Sequence, residues 1–377
     1  MMKKDITIIG GSAAGFFTAS LLAQKGLPVR IFETSESIAP SPRTLIVTSR
    51  VSDLTGSLCE GTVINRIRHY ELFADGRFAT ISLRRPDLVI ERSELIQQLA
   101  TRAQASGAEI LTGRHFLSFK PNGKRLNFAV SSNRDGKLVE ESTDILIGAD
   151  GAFSKVARSA GCPKQPTVRL FQAVVRLPRD MPSDTTRVWF IPEDTTYFYW
   201  LIPCSPTHGV LGLIGDKEKR GQRSLTRFLE RRNLIPLEIQ SARVPLHTHW
   251  LPIHRRIGQS HVYLVGDAAG HVKVSTVGGL VTGFRGALGV AEAILNGRSS
   301  REFRALRLEL NLHQLIRKVL NRFSQADYAK LLDLLTPSVK HSLGLFNRDE
   351  TGKLLLNVFF KEPRLLLLGL RSLLIGR

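Results

Sequence analysis

Cysteine is scarce in this chain: three in 377 residues, Cys59, Cys162 and Cys204, widely spaced and odd in number. That usage argues against a disulfide framework or a cysteine-rich zinc site and for a reducing compartment, so the cytoplasm is the expected location. Long apolar runs are missing too, and none reaches the roughly 20 residues needed to cross a bilayer. Met1-Met2-Lys3-Lys4 has the outline of a signal-peptide start, but Asp5, a glycine-rich turn and the lack of an Ala-x-Ala type cleavage site argue against export. Acidic residues are outnumbered, 33 Asp and Glu against 53 Lys and Arg, giving a formal net charge of +20. Such an excess is rewarded by nucleic acid or by the anionic face of a membrane. Repeats and low-complexity tracts are absent. His247, His249 and His254 lie close together without carboxylate or cysteine companions at ligand spacing, so no metal site is expected.

What is present describes a folded protein, with a hydrophobic fraction of 42% and a charged fraction of 23%. The length fits one large α/β body carrying a second sheet and a tail, two or three domains in all. Three segments carry the chemistry. Ile8-Ile9-Gly10-Gly11-Ser12-Ala13-Ala14-Gly15 follows a short apolar strand, Asp5 to Ile9, and leads into a helix, Phe16 to Lys25, closed by Gly26. Leu27 to Glu33 is the next strand. In this βαβ start Gly10 permits the tight turn, Gly15 lets helix and strand pack closely, and Glu33 is placed for ribose hydroxyls. Ser12 stands where the fingerprint has its second glycine. Ile145-Leu146-Ile147-Gly148-Ala149-Asp150-Gly151 and Val262-Tyr263-Leu264-Val265-Gly266-Asp267 each end an apolar strand on an acidic residue beside glycine.

A glycine-rich turn seats a pyrophosphate on a helix start, and an Asp at a strand's carboxyl end accepts hydrogen bonds from a polyol. Together the three segments spell a site for FAD, with Gly10, Gly11, Ser12, Ala14 and Gly15 in the turn. Further on, Gly278 and Gly279 open a helix that runs through Leu295. Its free amides, pointed at the N1 and O2 edge of a flavin, would favour the negative charge of the two-electron reduced state. His271 and Lys273, in the loop before it, are candidate donors near the ring.

With Asp150-Gly151-Ala152-Phe153-Ser154-Lys155-Val156-Ala157-Arg158 and Gly266-Asp267-Ala268-Ala269-Gly270 in this order, the chain resembles the flavoprotein superfamily of p-hydroxybenzoate hydroxylase over about residues 5 to 290. The fold expected is α/β: a Rossmann-like FAD-binding domain over 1–50, 88–163 and 259–300, an inserted, mainly β substrate domain over 51–87 and 164–258, and a helical C-terminal region over 301–377. The resemblance implies that Arg92, in Glu91-Arg92-Ser93-Glu94-Leu95, reaches toward the cofactor. It also implies that Asp150 and Gly151 help place flavin and reductant, and that Gly266 and Asp267 hold the ribityl chain. Arg43, in Ser41-Pro42-Arg43-Thr44-Leu45, joins this cofactor set.

Tyr197-Phe198-Tyr199-Trp200-Leu201-Ile202-Pro203, followed by Gly209-Val210-Leu211-Gly212-Leu213-Ile214-Gly215, is similar to the paired strands of the geranylgeranyl reductase family. The Gly266 to Gly279 run and Phe359-Phe360-Lys361-Glu362-Pro363 are similar to it as well. Alternating aromatics on a strand line one face of an apolar slot. Tyr197, Tyr199 and Leu201 are expected on one face, with Phe198, Trp200 and Ile202 on the other. The resemblance implies hydride delivery from reduced flavin to an isolated alkene of a prenyl lipid, with a proton arriving at the neighbouring carbon. Tyr199, Trp200 and His271 are the candidate catalytic residues.

The electron donor is open between NADPH, ferredoxin and a quinol. A flavin monooxygenase or halogenase is the alternative; Trp200-Leu201-Ile202-Pro203 satisfies the second half of the halogenase strand, but Phe198 stands at its first Trp. A non-catalytic basic protein bound to membrane or RNA is a third. The leucine-rich basic end, Pro363-Arg364-Leu365-Leu366-Leu367-Leu368-Gly369-Leu370-Arg371-Ser372-Leu373-Leu374-Ile375-Gly376-Arg377, is too short to span and suits the interface. Peripheral contact with the anionic inner face of a membrane is therefore expected, and no nucleic-acid partner.

Overall fold

The computed structural model of the protein describes residues 4–215, 218–297 and 300–374. The first three residues, Ser299 and the last three residues of the leucine-rich end, which entered the sequence reading, lie outside the described residues. The backbone is organised by two sheets. One has six strands, in the order His254–Ile257, Ser260–Leu264, Ile145–Gly148, Ile6–Ile9, Val29–Phe32, Glu109–Leu111. All its pairings are parallel except the edge hairpin His254–Ile257 with Ser260–Leu264. Strands Ile6–Ile9 and Ile145–Gly148 are buried at every residue, as expected of parallel strands covered on both faces. Helices Ala13–Ala23, Arg92–Ala105 and Leu280–Asn296 pack on this sheet, and a three-stranded antiparallel sheet over residues 114–143 joins the same core through Phe128 edge-on to Phe32.

The first helix starts earlier than its apolar pattern suggests. Ser12 caps it by accepting the Gly15 N–H on its side chain, so the helix begins at Ala13 and ends at Ala23.

The second sheet has eight strands, in the order Pro236–Pro245, Thr167–Arg176, His208–Gly215, Tyr199–Pro203, Thr185–Trp189, Val63–Ala74, Arg77–Glu91, Thr44–Val47. Strand Thr44–Val47 belongs to it although it lies within 1–50, strand Arg77–Glu91 runs across 87/88, and His254–Ile257 pairs in the parallel sheet although it precedes 259. Each strand belongs to one sheet only, and the chain passes between the sheets several times, so the strand ends do not fall on those linear bounds. Helix Glu218–Arg231, unanticipated in a segment that read as strands, covers one face of this sheet with Leu225, Phe228 and Leu229. The C-terminal helices are packed onto the body: Phe323, Tyr328, Leu332 and Val339 bury against Ala74 and Ala79 of the long hairpin.

Candidate active site

The three glycine-containing motifs meet at the carboxyl ends of three adjacent parallel strands, the place where such sheets bind nucleotides. Gly10 turns with a φ of 106°, and a Cβ there would lie 2.5 Å from the Ala149 carbonyl oxygen and 2.9 Å from the Asp150 Cα. Gly266 approaches the first helix in the same way, since a Cβ on it would sit 2.8 Å from that of Ala14. At Gly10 the contact is with main chain, and Gly266 combines a φ of 63° with the Ala14 methyl contact, so both positions favour glycine.

Ser12, at the fingerprint's second glycine, spends its hydroxyl on the Gly15 N–H at 3.1 Å. Glu33 folds back from its strand end to accept the Gly11 N–H at 2.6 Å and the Ser35 N–H at 2.8 Å, which puts its carboxylate beside the turn.

Asp267 feels the charge of two guanidinium groups, those of Arg43 and Arg92. Burial pushes its carboxyl up, while Arg43 and then Arg92 pull it down. Burial lowers both arginines; the proximity of Arg92 lowers Arg43 further, and Asp267 opposes the shift in each. Two main-chain N–H groups fix the pair: that of Arg92 donates to the Arg43 carbonyl at 3.0 Å, and that of Arg43 to the Glu91 carboxylate at 2.9 Å. The buried Arg43 Nε has no hydrogen-bond partner among the described residues. The residues fit FAD: a helix start with no acidic side chain in its first turn, a carboxylate at a strand end, and an orphaned buried guanidinium donor beside it.

Asp150 behaves differently from the sequence expectation. Its carboxylate accepts the Ser154 hydroxyl and the Lys155 and Val156 N–H groups, the last two at 2.7 and 3.1 Å, and so caps the short helix Lys155–Ser159. A short acidic side chain just before a helix finds the free amides first. The main chain of Asp150, and not its carboxylate, meets the glycine turn.

Gly279 caps helix Leu280–Asn296 without any side-chain bond, the first turn has no acid, and a Cβ on Gly279 would lie 3.2 Å from Asp267 Oδ1. The loop before it is tightly closed: the Lys273 N–H donates to the Gly278 carbonyl at 3.0 Å and the Val277 N–H to the Lys273 carbonyl at 2.7 Å. Val277 pays a conformational cost with a φ of 56°, an outlier for a β-branched residue. The Lys273 ammonium is buried on Asp349, which also accepts the Thr48 hydroxyl. Lys273 therefore binds the C-terminal region to this loop.

The aromatic strand divides as its alternation predicts, from Tyr199 onward. Tyr199 and Leu201 face helix Glu218–Arg231; Trp200 and Ile202 face the other way, and Trp200 packs in one cluster with Val272 and Val277 of the loop. Tyr197 departs from the expected face because the strand begins only at Tyr199, and it joins the Val277 side. Tyr199 is correspondingly misplaced for proton delivery: it is fully buried on Phe228, and its hydroxyl donates to Asp194 at 3.0 Å. His271 points away from the cofactor end as well. Its ring is wedged between Gly286 and Trp250, and burial, then His247 and Arg285, holds its pKa at about 3, a neutral imidazole. His247, His249 and His254 point to three separate partners: Gly270, Thr248 and His261.

Beside Trp200 the structure assembles residues that no local motif announces. Ile46, Tyr70, Ile202 and Cys204 share its apolar cluster. The Tyr70 hydroxyl donates to Asp87, which also pairs with Arg348, and burial first, then Asp87, keeps this phenol protonated against the opposing pull of Arg348. These side chains come from distant segments, so only the fold brings them together.

Comparison with known proteins agrees with this geometry. The FAD binding domain family matches residues 3–297. A digeranylgeranylglycerophospholipid reductase of Methanothermobacter thermautotrophicus is 30% identical over 353 residues, 88% of this chain and 88% of that protein. The geranylgeranyl diphosphate reductase of Rhodobacter capsulatus is 27% identical over 312 residues, 78% of this chain and 75% of that one. Among solved structures, a geranylgeranyl bacteriochlorophyll reductase-like protein of Thermoplasma acidophilum has a TM-score of 0.78 at 17% identity, covering 96% of this chain and 97% of its own. The chain belongs to the FAD binding domain family and, within it, to the geranylgeranyl reductases: it is an FAD-dependent oxidoreductase.

Proposed function

We propose that the protein saturates carbon–carbon double bonds of a prenyl lipid of geranylgeranyl type. The observation that carries this reading is the apolar surroundings of Trp200, which packs in one cluster with Val272 and Val277 of the loop and in another with Ile202, Ile46 and Tyr70, a hydrocarbon setting suited to an isoprenoid chain. The names of the similar proteins, two of them reductases of geranylgeranyl compounds, support the same substrate class. Bound FAD supplies the two-electron reducing chemistry.

The chain's own residues do the rest. The turn at Gly10, Gly11, Ser12, Ala14 and Gly15, with Glu33, holds the adenosine and diphosphate part, and Asp267 with Gly266, Arg43 and Arg92 holds the polyol and its surroundings. Gly151 and the main chain of Asp150 close the turn, and the helix start at Gly278 and Gly279 lies beside Asp267. Trp200 orients the apolar chain and excludes water, and Tyr70 keeps its proton at the hydroxyl oxygen on the same wall.

The C-terminal helices support contact with an anionic membrane face. Phe360 is 88% and Leu374 84% exposed, with Leu356 and Leu367 also outward, among Lys361, Arg364 and Arg371. Among the described residues no helix is long and apolar enough to cross a bilayer. The test is to reduce the FAD-loaded protein without oxygen, add membrane lipid extract, and search by mass spectrometry for hydrogenated prenyl species. Products that form only with oxygen, or only with halide, would assign the oxygen chemistry of a monooxygenase or halogenase instead.

A further inference from the structure

A cavity lies at the end of the parallel sheet opposite the glycine turn, where strands Ile145–Gly148 and Ser260–Leu264 begin, and it is bordered by helices Leu280–Asn296 and Arg301–Leu320. It encloses about 390 Å³, within the range of small-molecule sites. Its floor is hydrocarbon, from Ile145, Ile253, Ile294 and Phe303, with the Trp250 ring at one side. One wall is a ladder of rings: His254 lies parallel to Tyr263 at 4.5 Å and to His261 at 5.1 Å.

The mouth carries Lys4, Arg304 and Arg307, all exposed, and among the described residues no acidic one lines the cavity. The nearby acids on the two helices are taken: Glu302 pairs with Arg285, and Glu292 accepts the Ser300 hydroxyl. None of the three cations has an ion-pair partner among the described residues. An apolar chamber with a cationic rim left uncompensated is complementary to one kind of molecule, an apolar body carrying an anionic head.

We propose that this cavity binds a phosphorylated amphiphile, its apolar chain on the Ile294 and Phe303 floor and its anionic head at Arg304 and Arg307, at a site separate from the flavin. The head and chain occur together in a free prenyl diphosphate and in an anionic phospholipid, and the probes separate these sources.

The FAD-loaded protein is titrated by calorimetry with geranyl diphosphate, with geraniol, with inorganic diphosphate and with phosphatidylglycerol vesicles. Saturable binding of geranyl diphosphate is expected, at least tenfold tighter than either geraniol or diphosphate alone, together with a change in Trp250 emission that Trp250→Phe removes. The double variant Arg304→Glu/Arg307→Glu should weaken it at least tenfold, and Ile294→Trp, which fills the chamber, should abolish it. Trp200→Ala, on the flavin-side wall, should leave this binding intact. Unchanged flavin absorbance in each variant checks that the protein is folded.

Binding of vesicles together with geranyl diphosphate identifies the lipid as a second source of the same head and chain. Response to vesicles alone that survives Ile294→Trp overturns the proposal, because it reports surface attraction; the same response abolished by Ile294→Trp supports it, with the lipid as the source. Absence of saturable binding, insensitivity to Ile294→Trp, or loss in Trp200→Ala with retention in the arginine variant overturns it equally. The proposal stands apart from the reductase reading, since the anaerobic lipid assay can fail while this titration succeeds.

Discussion

The ammonium of Lys273, in the loop that precedes the helix at Gly279, is buried against the carboxylate of Asp349, from the segment joining two C-terminal helices. A link between positions 76 apart in sequence thus ties the last part of the chain to the cofactor end of the sheet. Removing one partner strands the other charge in the interior, which costs about 3–5 kcal/mol. Lys273→Met should therefore lower the thermal midpoint strongly and weaken FAD retention. The double variant Lys273→Met/Asp349→Leu should recover most of the loss. Scanning calorimetry on Lys273→Met, Asp349→Leu and the double variant checks the cycle, and a double variant no more stable than Lys273→Met would contradict it.

Gly10→Ala places a methyl group 2.5 Å from the Ala149 carbonyl oxygen at a φ that L residues rarely adopt. The turn must open, so the protein should purify with little or no bound flavin while keeping its secondary structure. Visible absorbance set against far-ultraviolet circular dichroism separates that outcome from global unfolding.

Arg43→Ala removes a buried donor and leaves Asp267 with one cation in place of two. Loss of a charge-assisted hydrogen bond costs about 1.5–3 kcal/mol, which corresponds to roughly tenfold or more in Kd for FAD. Flavin fluorescence titration of the apoprotein reads this directly, and an unchanged affinity would remove Arg43 from the cofactor set.

The two faces of strand Tyr199–Pro203 make opposite predictions. Trp200→Ala should raise KM for the prenyl substrate with FAD affinity unchanged, because Trp200 lies on the wall toward Val277. Tyr199→Phe should leave KM alone and cost about 1 kcal/mol of stability through the lost bond to Asp194. Kinetics and thermal denaturation of both variants decide which face meets substrate.

Much of this site was legible in the sequence because its signals are local. A strand that ends in Gly10, Asp150-Gly151 or Gly266-Asp267 declares its turn chemistry within a few residues, and parallel strands then bring the three turns to one end of the sheet. Strand alternation likewise placed Trp200 and Tyr199 on opposite faces. The errors arose where a side chain had a choice of partner. Asp150 found the amides of its own helix, and His271 turned into the space left by Gly286. Tyr70, Asp87, Arg348 and Asp349 could not be read, because each acquires its role from a contact across the chain. Helix Glu218–Arg231 was missed because its apolar residues are few among many charges.

The same buried pair fixes an acid limit on stability. Burial alone would raise the Asp349 carboxyl, but the neighbouring Lys273 ammonium, the bonds from Lys273 and Thr48, and Arg348 outweigh it and hold the pKa down to about 2, from an ordinary value of 3.8. A carboxyl depressed in the folded state contributes stability that is fully present above its unfolded pKa and is lost as pH falls through the folded one. The contribution should therefore be constant from neutral pH to about pH 4 and fall between about pH 4 and pH 2. Asp349→Asn lacks the titrating group, so its midpoint, lower at neutral pH, should converge on that of the natural protein as acid is added. Thermal midpoints measured across that window check the sign, and a gap that widened with acid would show that Asp349 is not held ionised in the fold.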